Sequence, residues 1–268
     1  PMKKYLAFFR LRFSTGLQYR AAAFAGVATQ FAWGFMRILM FQAFYEADPS
    51  AFPMSFQGLV SYIWLQQALL MMFSTWSGPT DIFESISSGQ VAYEMCRPMD
   101  LYTMWWTKIC AVRLSKTALR FVPVVAVSLF LPAPYGLVLP KEPATFFFFL
   151  LSLVLGFGVM MCMDMLMYGA TFYTVSSRGV RILFSSLSDF LTGGILPLSF
   201  FPGWLQNILS LLPYSGIQNA PLEIYTGSLE GPAAWNTVWT QLFWLGALTV
   251  IGRLMFRKGI RQVVVQGG

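Results

Sequence analysis

Three charged side chains interrupt long apolar stretches of this chain, and these positions are the first to consider for chemistry: Arg37, Asp164 and Asp189. A charge among apolar neighbours is costly unless it is paired, so such residues are functional candidates by default. They are scattered along the chain and do not form one group, which favours structural pairing or snorkelling over a direct role with a substrate. Histidine is absent, and three widely spaced cysteines are too few for a metal site or a disulfide framework.

Nucleotide chemistry is also missing from the sequence. A phosphate-binding loop of the G-x-x-x-x-G-K-[ST] type needs a Gly-Lys dipeptide, and none occurs. No membrane segment carries paired carboxylates at catalytic spacing. We therefore expect no catalytic residue, no metal site and no cofactor bound by this chain.

The composition is that of an all-α membrane protein. Charged residues make up 11% of the chain, against roughly 25% in soluble domains, and hydrophobic residues make up 56%. A crossing helix needs about 20 mostly apolar residues. Six stretches satisfy this within one transmembrane domain covering residues 1–268, namely residues 21–45, 56–77, 114–139, 144–175, 180–201 and 233–256. The third has uncertain boundaries because of its basic residues and prolines, and counts of five or seven crossings are the alternatives.

The basic residues predict the orientation of these crossings. In a six-helix threading, 16 of the 18 Lys and Arg residues fall on one side, and Lys141 is the loop cation on the other. The positive-inside rule then places both termini in the cytoplasm of a bacterial cell with the chain in its inner membrane. A five-helix threading would break this asymmetry.

Residues 2–20 form a predicted amphipathic helix in the cytoplasmic interface. Leu6, Phe9, Phe13 and Leu17 recur at helical spacing, with Arg12 off that stripe. The alternative is a cytoplasmic extension of the first crossing helix.

Residues 80–88 form a predicted short cytosolic helix. Thr80 or Asp81 is its N-cap, Glu84 completes a capping pattern, and Gly89 ends it. Its apolar face consists of Ile82, Phe83 and Ile86. We expect this face to dock on a separate protein with Phe83 as anchor; the alternative is a turn that packs only against its own helices.

Residues 202–227 are too apolar for a solvated loop, yet prolines and glycines divide them into pieces too short to cross a membrane. Residues 204–212 and 214–225 are predicted to be two re-entrant half-helices on the outer side. Their irregular backbone requires shielding by neighbouring helices.

These features resemble the permease subunits of ABC-2-type ABC transporters over nearly the whole chain. The sequence G-G-I-L-P-L-S-F-F-P-G-W-L-Q at residues 193–206, followed by Leu212-Pro213, is similar to the family's signature at the top of helix five. I-S-S-G-Q-V at residues 86–91 and R-P-M-D at residues 97–100 resemble a subfamily with two different permeases served by one ATPase.

The resemblance implies an exporter half with an elbow helix, six crossings, a coupling helix and two re-entrant helices. Two cytosolic P-loop ATPase subunits would bind ATP and Mg, and a second permease, a different but similar chain or otherwise an identical one, would complete the pathway. It implies coupling residues Thr80, Asp81, Ile82, Phe83, Glu84, Ile86, Gly89 and Arg97. It implies an outer gate at Pro197, Pro202, Trp204 and Pro213.

Two other classes stay open at this point. A secondary transporter would be expected to show an internal repeat, which we do not find. A polytopic membrane enzyme acting on lipids would need a surface cluster of Asp, His or Ser, which is also missing. No nucleic-acid partner is expected, and the sequence does not identify the substrate.

Overall fold

The computed structural model of the protein describes residues 2–140, 142–174 and 177–262, and in this part of the chain all regular structure is helical. Lys141 lies outside the described residues. The α-helices are α1 Met2–Gly16, α2 Arg20–Ala47, α3 Phe56–Ala68, α4 Leu70–Phe73, α5 Asp81–Ser87, α6 Val91–Met95, α7 Leu101–Phe130, α8 Pro143–Thr171, α9 Ser177–Leu191, α10 Gly203–Ser210, α11 Asn219–Tyr225 and α12 Pro232–Gly259.

Three of these helices are long and apolar enough to cross a membrane: α2, α8 and α12. They agree with the first, fourth and sixth predicted crossings to within a few residues. α8 is the central helix, since it packs along α12 and against α11, and its most buried stretch is rich in methionine. The fold is that of a multi-pass membrane protein.

The second predicted crossing, residues 56–77, is not one helix. It divides into α3, α4 and a 3-10 turn at Thr75–Ser77, with breaks at Leu69 and Ser74. The break frees backbone carbonyls, and those of Met72 and Ser74 accept hydrogen bonds from Arg113 at 2.9 and 2.8 Å. A side chain on a neighbouring helix thus replaces the lost helical partners.

The third predicted crossing, residues 114–139, has different bounds from the helix in the structure. α7 begins at Leu101, where Asp100 caps it by accepting from the Thr103 backbone N–H at 2.9 Å, and it ends at Phe130. The prediction began late because Lys108 and Arg113 looked like loop cations, but both are buried. It ended late because the apolar residues after Phe130 turn back, with the Leu137 N–H donating to the Ser128 carbonyl.

The fifth predicted crossing, residues 180–201, also needs correction. α9 has 15 residues and ends at Leu191; the chain then turns at Gly193, whose φ is +77°, before a 3-10 turn at Leu198–Phe200. Two short helices follow, as predicted, and they are separated around Pro213. The second one starts at Asn219 and not at residue 214, because turns occupy the intervening residues.

α1 runs beside the first half of α7 in the same direction. The backbone N–H of Asp100 donates to the Tyr5 hydroxyl at 3.0 Å near one end, and Gly16 meets the Ser115 side chain at the other. The predicted apolar face of α1 differs in part from the face that packs in the structure. Arg12 is half-buried with its guanidinium 5.2 Å from the Phe8 ring, whereas Leu6 is exposed. The planar guanidinium can stack on an aromatic ring, which lets a charged side chain occupy a packed face.

Candidate functional site

The short helix α5 lies at the centre of the candidate site. Gly89 follows its C-terminus with φ at +74°, which confirms the predicted stop. Thr80, one of the two predicted N-cap residues, occupies the N-cap position, but its side chain makes no capping hydrogen bond. Asp81 instead forms an ion pair with Lys108 of α7, with Oδ2 and Nζ 2.5 Å apart.

The apolar face of α5 is turned into the chain's own core. Ile82 is 1% exposed and Phe83 is 5% exposed. The Phe83 ring lies 4.7 Å from that of Tyr168 on α8, and the Arg181 guanidinium of α9 lies 5.2 Å from it. Phe83 therefore cannot anchor a partner, and that expectation is corrected; Ile86 is half-buried.

The outward face of α5 and α6 is polar, with an aromatic side chain that the sequence reasoning missed. Glu84 and Arg97 are exposed, and Tyr93 is 79% exposed. The remaining exposed residues of α5 and its flanks are Thr80, Asp81, Ser87 and Ser88. Tyr93 lies between two turns in a segment without a clear period, so no sequence signal distinguished it from its neighbours.

The segment that enters α5 is fixed to α7 and α8 by hydrogen bonds. The Ser77 hydroxyl accepts from Arg113 at 2.8 Å, and the Ser77 carbonyl accepts from Lys116 at 2.6 Å. The Pro79 carbonyl accepts from the Tyr168 hydroxyl at 2.9 Å. A displacement of α5 must therefore move these two helices or break buried bonds.

Arg113 and Asp164 form the charged centre of this network. Arg113 Nε donates to Asp164 Oδ2 at 2.7 Å and its Nη2 donates to Oδ1 at 2.9 Å, with the residues 0% and 1% exposed. Arg113 also donates hydrogen bonds to the Met72 and Ser74 carbonyls of the broken second crossing. Such a two-point pair, in which each of the three guanidinium nitrogens donates a hydrogen bond, orients and stabilises the helices. Asp164 is thus structurally paired, in agreement with the interpretation that the sequence favoured.

Arg37 belongs to a second buried network, near the end of α9. Its guanidinium donates to the Gln66 side chain and to the carbonyls of Gly194 and Ile195. Gln66 in turn donates to the Gly193 and Gly194 carbonyls at 2.9 and 3.0 Å. These carbonyls have lost helical partners because α9 has ended, so α2 and α3 satisfy the backbone of the G-G-I-L-P segment.

The same segment is joined to α11. The Tyr62 hydroxyl donates to Asn219 Oδ1 at 3.1 Å, and the Leu198 N–H donates to the same oxygen at 2.9 Å. Glu223 Oε1 accepts from the Ser199 N–H at 3.2 Å. These polar side chains were not candidates, although their occurrence within apolar stretches is a signal that could have identified them.

Three of the four predicted outer-gate residues, the prolines, occupy breaks between elements, and Trp204 lies in α10. Pro197 precedes the 3-10 turn, Pro202 is the N-cap residue of α10, and Pro213 separates α10 from α11. Trp204 is exposed. The three prolines therefore lie where the chain changes direction, and Trp204 faces away from the protein's own core.

Asp189 differs from the other intramembrane candidates. It is exposed on α9, and its side chain makes no hydrogen bond or ion pair with any residue that the structure describes. Arg181 and Ser185 lie on the same side at helical spacing, whereas Leu183 and Leu187 lie on the other. This chain covers that polar side only in part, with Phe83 at Arg181 and with Ser185 half-buried, and it leaves Asp189 exposed.

Crossing helices and buried polar networks that link them to a short peripheral helix define a multi-pass helical membrane protein. Residues 31–267 match the family model described as ABC-2 family transporter protein, and the chain belongs to that family. It is accordingly a membrane component of an ABC transporter, of a kind that is typically non-catalytic and works with ATPase subunits. No curated protein sequence matches this chain.

Proposed function

We propose that this chain is a permease subunit of an ATP-driven exporter, with α5 and α6 as the surface that receives the ATPase. One observation carries the proposal: α5 turns a polar face outward while its entry segment is bonded to α7 and α8. A surface that transmits motion needs both properties. It must be accessible to a partner, and it must be rigidly joined to the elements that move.

The proposed topology has six crossings with both termini in the cytoplasm of a bacterial inner membrane. α3 and α4 together make the second crossing, α7 the third and α9 the fifth. The distribution of 16 of 18 basic residues supports this orientation. Under it, α5 and α6 face the cytosol, and α10 and α11 form a re-entrant roof on the outer side.

Coupling would proceed through the anchored segment before α5. When two ATPase subunits bind ATP and Mg and close, they would displace α5, and Ser77 and Pro79 would pass that displacement to α7 and α8. Phe83 would act within the permease, because its ring contacts Tyr168 and Arg181. In this revised role, Phe83 holds α5 against α8 and α9 within the same chain.

A second permease, a different but similar chain or otherwise a second copy of this one, would complete the pathway. The exposed Asp189 on α9 supports this, since a carboxylate without a side-chain partner among the described residues is unfavourable against lipid. A water-filled interface between two permeases would hydrate this carboxylate. The transported compound would move along that interface, outward across the membrane.

The test is a pair of substitutions on the outward face, measured by co-purification with the partner ATPase. Glu84→Arg reverses an exposed charge and Tyr93→Ala removes an exposed aromatic anchor. Aromatic anchors often contribute about 2 kcal/mol or more, so we expect at least tenfold weaker ATPase binding with normal membrane insertion. Glu46→Arg, an equally exposed charge reversal on the proposed outer side, is the matched control. ATPase binding that is unchanged in both variants would refute the coupling surface.

A further inference from the structure

A lateral cleft of about 640 Å³ opens between α2 and the broken second crossing. We propose that it binds an anionic phospholipid of the bilayer, with the lipid phosphate at Arg120 and one acyl chain along α2. Two arginines line the cleft, Arg120 at one end and Arg37 further along α2, together with an apolar, aromatic wall; none of its described lining residues is acidic. The Arg37 guanidinium already donates to the Gln66 side chain and to the Gly194 and Ile195 carbonyls, so Arg120 is the cation left for a ligand. That distribution is complementary to an amphiphile with a single negative head.

Arg120 is the cation at the basic end of the cleft. It is half-buried, and its side chain makes no hydrogen bond or ion pair with any residue that the structure describes. Its guanidinium rests on Gly26 of α2, where an added Cβ would lie 2.4 Å from the guanidinium carbon. Gly26 thus makes the space in which Arg120 is held. A partly desolvated guanidinium without a carboxylate favours an anion, and phosphate matches its planar donors.

Gln30 supplies a second, independent observation one helical turn further along α2. It is 2% exposed and lines the cleft. Its amide nitrogen donates to the Gln67 carbonyl at 2.9 Å, whereas its amide oxygen has no partner. A buried acceptor left unpaired is costly. A headgroup with a hydroxyl beside its phosphate, such as glycerol, could supply the missing donor.

The rest of the cleft has the length and character of an acyl-chain site. Trp33, Met36 and Met40 of α2 form one wall and are exposed. Leu70 and Ile195 lie opposite. From Gly26 to Met40 the helix rises about 21 Å at 1.5 Å per residue, compared with about 15 Å for half the hydrocarbon core. One chain therefore fits between the headgroup level and the far end.

Trp76 marks the depth of the basic end. It lines the cleft, is exposed and lies in the 3-10 turn that ends the broken crossing. Tryptophan concentrates at headgroup level because its ring is apolar and its N–H is polar. Gly26 lies six residues after the start of α2 at Arg20, so the basic end is close to the membrane surface. The assignment to the inner leaflet rests on the proposed orientation; the site itself does not.

The test uses the full chain purified in detergent, with lipid binding followed by native mass spectrometry. Wild-type protein is expected to retain phosphatidylglycerol in preference to phosphatidylcholine, and glycerol phosphate without acyl chains should not compete. Arg120→Gln should weaken phosphatidylglycerol binding about tenfold, equivalent to ~1.4 kcal/mol. Arg257→Gln, which removes an exposed arginine of α12, should leave the preference intact.

A second variant keeps the test valid if Arg120→Gln misfolds. Met36→Glu places a negative charge in the acyl-chain wall at an exposed position, so it should reduce binding while Arg120 remains. Equal binding of the two lipids by wild type, or an unchanged preference in a folded Arg120→Gln or Met36→Glu variant, would overturn the proposal. So would competition by glycerol phosphate, or a cysteine at position 36 that crosslinks a second permease in native membranes. Because no ATPase is needed, this result is independent of the coupling experiment.

Discussion

Asp164→Asn is the sharpest test of the buried network, because it removes a charge while it preserves the shape of the side chain. Asp164 accepts two hydrogen bonds from Arg113, at 2.7 and 2.9 Å. An amide offers one oxygen and one N–H₂ group, so in either orientation a donor faces a guanidinium donor. Breaking a buried pair by removing one partner costs about 3–5 kcal/mol. We expect that loss in the free energy of unfolding, measured by SDS titration of the purified protein in mixed micelles.

The double variant Arg113→Met/Asp164→Leu separates the ion pair from the rest of the network. Replacing an isolated buried pair with apolar residues is often neutral. Arg113 also donates hydrogen bonds to the Met72 and Ser74 carbonyls, and the double variant loses both. Each buried carbonyl left without a donor costs about 1–3 kcal/mol. The double variant should therefore remain destabilised by roughly 2–6 kcal/mol.

Asp189→Asn provides the matched control, since it is the same substitution at an exposed carboxylate without a partner among the described residues. Its effect should stay within about 0.5 kcal/mol. If Asp164→Asn destabilises no more than this control, the pair does not stabilise the fold. If the double variant matches wild type, Arg113 is not needed by the broken crossing.

Three further predictions concern topology and close packing. In a cysteine-free background, an impermeant thiol reagent applied to intact cells should label a cysteine placed at Asp48 and leave one at Ser88 unlabelled; the opposite pattern refutes the orientation. Gly193→Ala should cost about 1–3 kcal/mol in the SDS titration, because φ is +77° and an added Cβ would lie 2.8 Å from the Tyr62 hydroxyl. Gly156→Ala should cost a similar ~1–3 kcal/mol, because its Cβ would lie 2.4 Å from the Ile217 carbonyl oxygen. Wild-type stability in either glycine variant would contradict the described packing.

Sequence patterns predicted the elements whose signal is local. α2, α8 and α12 follow from apolar length, and the stop after α5 follows from a glycine that can adopt positive φ. The division of residues 202–227 follows from prolines that cannot continue a helix. The resemblance was confirmed by the family match over residues 31–267.

Other features depended on contacts between residues far apart in the chain. Lys108 and Arg113 have the composition of a loop, and they are helical and buried because Asp81 and Asp164 meet them across 27 and 51 residues of sequence. The apolar face of α5 gave no indication of whether its partner was another protein or α8 of the same chain. The second crossing broke where Arg113 could satisfy its carbonyls.

Hydrophobic length and backbone freedom are properties of single segments, so the sequence alone determined a helical membrane protein, its main crossing helices and the breaks at proline and glycine. Whether a buried charge is paired, which face of a short helix is covered and where an interrupted helix is tolerated are properties of pairs of segments. Only the tertiary structure decided these, because the free energy of burying a charge or a carbonyl depends on the partner that folding brings within hydrogen-bonding distance.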